Sequence, residues 1–278
     1  MARTTKPASH GSAASRVAAA SDAAVDASRD GIPAHLHDER IEVITALLGN
    51  PALEPEHVSI LLERKDLPAA VLDSIAKKKV WSAHAAVRRK LAAHPHTPRR
   101  IATRLLRELY LLDLIQLTLQ PAVAADLRRL AEELILARIG QLPLGQKRMV
   151  ARRGSARVSG ALLADANLGV VSLALDNPFL TESQILKTLA RVSLPAENVA
   201  AIARHRKWSS HITVRLALVR HPRAPLERIL AFLPELTLGD IEDLFCLAQL
   251  PSNLRQYLQH ELARRSRAPS AAQSPADS

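Results

Sequence analysis

The chain has 278 residues, 47% of them apolar and 23% charged, and a formal net charge of +11. That is a globular composition long enough for a sizeable core, and its basic balance suits an anionic partner. A single cysteine, Cys246, excludes an intrachain disulfide and any cysteine-clustered zinc or iron–sulfur site, and few aromatics and glycines argue against a large β-sandwich.

In chain order, residues 1–32 are rich in Ala and Ser and too weakly apolar for a secretory signal, so they read as a disordered tail. From residue 33 the apolar positions recur at helical spacing. Val58, Ile60, Leu61 and Leu62 form one such set in 55–64, and Ile101, Leu105, Leu106 and Leu109 form another in 98–109. Prolines at 51, 68, 95, 121, 143, 178, 195, 222 and 251 mark helix ends, because the residue before Pro is driven out of the helical region. Ser82, Thr97, Thr181 and Ser209 stand where helix N-caps belong. Residues 267–278 read as a second disordered tail. The apolar run 110–119 carries Asp113 and Gln116 and falls short of the about 20 apolar residues of a membrane span. No membrane insertion is expected, and the default location is the cytoplasm.

The strongest signal is internal repetition. Segment 50–128 laid over 177–255, an offset of 127, gives 27 identities in 79 positions without a gap. The best block runs Trp81, Ser82, His84, Val87, Arg88, Leu91, His94, Pro95, Pro98 and returns as Trp208, Ser209, His211, Val214, Arg215, Leu218, His221, Pro222, Pro225. Asn50-Pro51 returns as Asn177-Pro178. A looser echo over 142–171 points to a smaller building block of roughly 40–55 residues, the length of helical-pair repeats. These features predict an all-α, HEAT-like right-handed solenoid of stacked antiparallel helices with an internal tandem duplication, more than about 60% helical. Its halves are expected at 33–140 and 141–266.

The run LALDNPFLTESQILKTLA (173–190) followed by the Trp-to-Pro block resembles bacterial HEAT-like repeat proteins, including the leucine-rich-repeat-variant type. It is similar to a group with Asn-Pro helix ends. The resemblance implies an interaction surface and no reaction. The iron–sulfur module of some leucine-rich-repeat variants needs clustered cysteines that this chain lacks.

The repeated Trp81, His84, His94, Trp208, His211 and His221 read as structural signatures: indoles stapling loops, and histidines bonding helix-terminal carbonyls. Their spacing does not suit a zinc site. Glu108, Asp113, Glu235 and Asp240 read as partners of Arg88 and Arg215 or as helix caps, and Cys246 as core. No phosphate-binding glycine loop or nucleophile elbow is present. No catalytic residue, metal or cofactor is expected.

The charge pattern is the remaining signal. Lys77, Lys78, Lys79, Arg88, Arg89, Lys90, Arg99, Arg100, Arg104 and Arg107 fall in a stretch with no acid, and Lys147, Arg148, Arg152 and Arg153 in another. Aligned by stacking, they could form a basic stripe that neutralises phosphates, or a solvated face paired with acidic neighbours. The expected function is a non-enzymatic scaffold or adaptor with a protein partner. The alternative is a nucleic-acid binder, and a base-excision enzyme is a more distant analogy.

Overall fold

The computed structural model describes residues 13–245 and 252–267. Among them, 71% are helical and there is no strand. The chain divides into two compact units, Met1–Leu134 and Ile135–Ser278, a few residues earlier than the sequence suggests.

The first unit contains α1 (Ala13–Asp26), α2 (Ile32–Leu36), α3 (Ile41–Leu47), α4 (Pro55–Leu61), α5 (Ala69–Lys77), α6 (Lys79–Ser82), α7 (Ala85–Ala93), α8 (Arg99–Arg107) and α9 (Leu111–Leu119). The next helix, α10 (Ala125–Arg138), carries the division between units. The second unit continues with α11 (Leu144–Arg153), α12 (Ala156–Leu162), α13 (Leu168–Leu175), α14 (Glu182–Leu189), α15 (Ala196–Arg204), α16 (Ile212–Arg220), α17 (Leu226–Phe232), α18 (Leu238–Phe245) and α19 (Ser252–Arg267).

Most of the helices bury one apolar stripe. In α8, Ile101, Ala102, Leu105 and Leu106 are buried while Arg99, Arg100, Arg104 and Arg107 face solvent. The principal packing is between helices close in the chain: α1 on α3, α2 on α4 and α7 on α8 in the first unit, and α11 on α13, α12 on α14 and α14 on α16 in the second.

Proline opens many of these helices. Pro68, Pro98, Pro143, Pro195 and Pro225 are the N-caps of α5, α8, α11, α15 and α17, and Pro55 is the first residue of α4. A fixed φ preorganises the first turn, where the missing N–H has no helical partner to lose. The serines expected as N-caps are not caps. Ser82 ends α6 and Ser209 sits in a 3₁₀ turn, while His84 and His211 hold the cap positions of α7 and α16. Thr97 precedes the cap of α8 and instead donates to the Leu91 carbonyl at 2.6 Å. Thr181 does cap α14, without a side-chain bond.

Helix C-termini are closed without left-handed glycines; no described residue has a positive φ. The terminal carbonyls are taken by side chains that reach back from later in the chain. Asn50 Nδ2 donates to the carbonyls of Ala24 and Ala27 at 2.9 Å each. Arg64 reaches Leu36 and Asp38, Trp81 reaches Leu53, and His94 reaches Arg64. In the second unit Asn177 serves Ala151 and Gly154, Asn198 serves Leu163 and Asp165, and Trp208 serves Leu175. A buried carbonyl left unpaired costs about 1–3 kcal/mol, so these donors hold successive helices in place.

The N-terminal expectation fails over its described part. Residues 13–26 are α1, not a disordered tail, and α1 packs on α3 with Ala24 fully buried. Alanine is the strongest helix former and allows close helix approach, and Asn50 satisfies the carbonyls at the helix end. Residues 1–12 and 268–278, and Cys246, lie outside the described residues.

Candidate anion-binding groove

The two tryptophans are buried, at 4% and 2% exposure, so neither is free to stack on a ligand. Trp208 Nε1 donates to the Leu175 carbonyl at 2.8 Å and Trp81 Nε1 to the Leu53 carbonyl at 3.3 Å. His94 and His221 are buried as well. Each accepts a backbone N–H at Nδ1, from His96 and Arg223, and bonds a carbonyl through Nε2, of Arg64 and Arg191. That pattern fits the neutral ring carrying its proton on Nε2. Burial pushes the His94 pKa down, and the bond to Arg64 opposes that only in part. His211 pairs with Glu182 at 3.0 Å. Among the described residues no cluster of three or more His, Cys, Asp and Glu side chains is placed to hold a metal.

The basic run 77–107 is largely engaged. Lys77 pairs with Asp73 at 2.6 Å, Arg88 with Glu108 at 3.9 Å, Arg89 with Asp113 at 3.3 Å and Lys90 with Glu63 at 2.8 Å. Arg99 pairs with Asp126, and Lys78 donates to the Leu48 carbonyl while lying over the Trp81 ring. The Lys90 bond holds the Glu63 carboxyl below its ordinary range. Arg107 is also engaged. Lys79, Arg100 and Arg104 remain exposed on this stretch. Asp113 takes Arg89 rather than Arg88, and Asp240 bonds Thr237 in its own first turn.

The second basic cluster differs. Lys147 is paired with Asp165 at 2.8 Å. Arg148, Arg152 and Arg153 are exposed and form no ion pair among the described residues. They line an open groove of about 720 Å³ together with Gly145, Met149, Gly169 and Leu173. Positions 145, 148, 149, 152 and 153 follow helical spacing and fall on one face of α11, while 169 and 173 are one turn apart on α13. The Arg148 guanidinium lies against Gly169, 3.6 Å from where a side chain would begin, and nothing crowds Gly145 within 4 Å. The lining contains no acid and no aromatic ring.

Two other hollows are basic, and each contains one acid that pairs with one of its cations. One of about 250 Å³ around Arg89 and Lys90 contains Glu63 and Gln116, which bond those two cations. One of about 450 Å³ contains Glu235, which pairs with Arg215, while Arg228 donates to the Ala203 carbonyl and the exposed Arg204 and Arg206 complete its lining, so unlike the α11–α13 groove it holds an acid and the Phe232 ring. The sequence pattern groups the cations of 77–107 and 147–153 together. It does not mark Gly145, Met149, Gly169 and Leu173 as the floor and rim of the α11–α13 groove, although the stripe on α11 is readable by spacing.

No helix among the described residues is long and apolar enough to cross a membrane. Comparison with protein-family models, curated proteins and solved structures finds no match for this chain.

Proposed function

We propose that the protein is a non-enzymatic helical-repeat scaffold: an α-solenoid of two tandemly duplicated halves that binds another macromolecule on its surface. The observation that carries this reading is a recurring bond. Asn50 serves the carbonyls of Ala24 and Ala27, and Asn177 serves those of Ala151 and Gly154, every position displaced by 127. The same displacement relates the His94–Arg64 bond to the His221–Arg191 bond, and α3, α4, α5 and α7 to α13, α14, α15 and α16. It also relates α1 to α11, which extends the duplication upstream of the segment found by identity. Packing between helices close in the chain is the contact pattern of stacked repeats.

The non-enzymatic part rests on how the chemically capable side chains are used. His94, His221, Trp81, Trp208, Glu63 and Asp113 hold helices together. The HEAT-like or leucine-rich-repeat-variant relationship remains part of the same proposal, as does a cytoplasmic location, to which the single cysteine is suited.

The test is an affinity pull-down with the full chain, with and without nuclease. Stoichiometric retention of a protein or a nucleic acid supports the scaffold. An empty pull-down under both conditions overturns it, and an experimental structure whose halves do not superpose after a shift of 127 residues overturns the duplication.

A further inference from the structure

The duplication reading supplies an internal comparison for the α11–α13 groove. Its lining residues Arg148, Met149, Arg152, Arg153 and Gly169 correspond, 127 positions earlier, to Ser21, Asp22, Val25, Asp26 and Glu42 on α1 and α3. Residues required by the shared fold are kept at both places, as Asn50 and Asn177 are. The arginines are not kept. The helix pair α1–α3 packs with Asp22, Asp26, Glu42, Ser21 and Val25 at the corresponding positions, so this packing does not require cations there.

The arginines are also not needed to neutralise neighbours. No acid lines the groove, and Asp165, on the adjoining loop, is taken by Lys147. Three guanidinium groups held without counter-charge beside an open groove favour an anion that arrives from outside. Arg148 and Arg152 are one turn apart, about 6 Å along the helix, so a ligand that satisfies both carries repeated negative charge. Nothing lies within 4 Å of where a side chain would begin at Gly145, which lets a backbone approach α11 closely at that edge. The absence of aromatic rings from the lining removes the stacking platforms that single strands use.

We infer that the α11–α13 groove binds the phosphate backbone of double-stranded nucleic acid, without sequence preference, through Arg148, Arg152 and Arg153. The inference rests on the scaffold reading and names the class of its partner. Guanidinium forks match phosphate oxygens bidentately, and contacts to backbone position a duplex without reading its bases.

The experiment titrates a short labelled DNA duplex with the full chain between about 50 and 200 mM salt. Three phosphate contacts give a slope of log K against log salt of about −2.7, and each single Arg→Gln variant lowers its magnitude by about 1. The variant R148Q/R152Q/R153Q is expected to lose at least about tenfold in affinity at the low-salt end. Lys77→Gln, outside the groove, is expected to bind as the unaltered chain does. Circular dichroism melts of all variants check that the fold is intact. Undetectable duplex binding at low salt, or equal binding by the triple variant, overturns the inference. So does a self-complex, seen by sedimentation, that both R148Q/R152Q/R153Q and D22N/D26N/E42Q dissolve, because the occupant is then a second copy of this chain. A pull-down that still retains a nuclease-resistant protein leaves the scaffold reading standing in either case.

Discussion

His94 Nε2 bonds the carbonyl of Arg64 at 2.7 Å while its Nδ1 accepts the backbone N–H of His96 at 3.2 Å. Both ring nitrogens are used, and a second ring proton has no acceptor at Nδ1. Burial lowers the His94 pKa from its ordinary 6.5. The folded chain therefore takes up this proton at lower pH than the unfolded chain does. The resulting stability is fully present above the unfolded pKa and is lost as pH falls from 6.5 toward the folded value. Thermal melts at pH steps below neutrality are expected to show a falling Tm, and His94→Gln, which keeps a donor, is expected to flatten that fall. An unchanged slope in the variant would assign the pH dependence to other groups.

Trp81 and Trp208 provide a graded test of burial and hydrogen bonding. Either change to Ala removes a buried indole and is expected to cost about 3–5 kcal/mol. Trp208→Phe keeps much of the packing but leaves the Leu175 carbonyl without its donor, at about 1–3 kcal/mol. Trp81→Phe is expected to cost less, because its bond to Leu53 is longer, at 3.3 Å. Chemical denaturation of the four variants measures these differences, and equal losses for the two Phe variants would contradict the hydrogen-bond account.

Asn50→Ala and Asn177→Ala each orphan two carbonyls and one backbone N–H, that of Ala52 or Phe179. Both are expected to destabilise by at least about 1–3 kcal/mol. Asn→Asp at the same sites removes the Nδ2 donor and places a carboxylate against carbonyls, so it is expected to be worse than Ala. Denaturant midpoints test this order.

Removal of residues 1–28 deletes α1 and with it the helix that covers α3. Val43 and Ile44 are fully buried on α3, and Asn50 loses both carbonyl partners. The truncated chain is expected to melt lower than the full chain. Limited proteolysis is expected to spare Ala13–Asp26 in the full chain. Cleavage there with no change in Tm on truncation would restore the disordered-tail expectation.

The all-helical class was legible because the buried stripes keep helical spacing and many helix ends carry Pro. The N-terminal helix was not. Its core side is mostly alanine, and what fixes its end is Asn50, which is distant in sequence. The carbonyl bonds were legible only where the same residue type does the same work in both halves, as at His94 and His221. Elsewhere different residues fill one role. Arg64 serves Leu36 and Asp38, while Asn198, from another helix, serves Leu163 and Asp165. Lys78 serves Leu48, while Trp208 serves Leu175. The basic stretch 77–107 looked unopposed because its acids, Glu63, Asp113 and Asp126, lie outside that window and come close only through folding. The arginine stripe on α11 could be read by spacing, but its lack of partners could not.

The central claim is a division of labour: recurring polar side chains hold the helices, and the non-recurring arginines of α11 meet the partner. The most direct measurement pairs the Tm of R148Q/R152Q/R153Q with its affinity for a labelled DNA duplex at low salt, beside Asn177→Ala measured the same way. The account predicts that the arginine variant melts within about 1 kcal/mol of the unaltered chain, as exposed cations contribute little to stability, and loses the duplex. Asn177→Ala is predicted to melt lower and, below its transition, to keep duplex affinity. An arginine variant that melts much lower, or that binds the duplex as well as the unaltered chain, would contradict it.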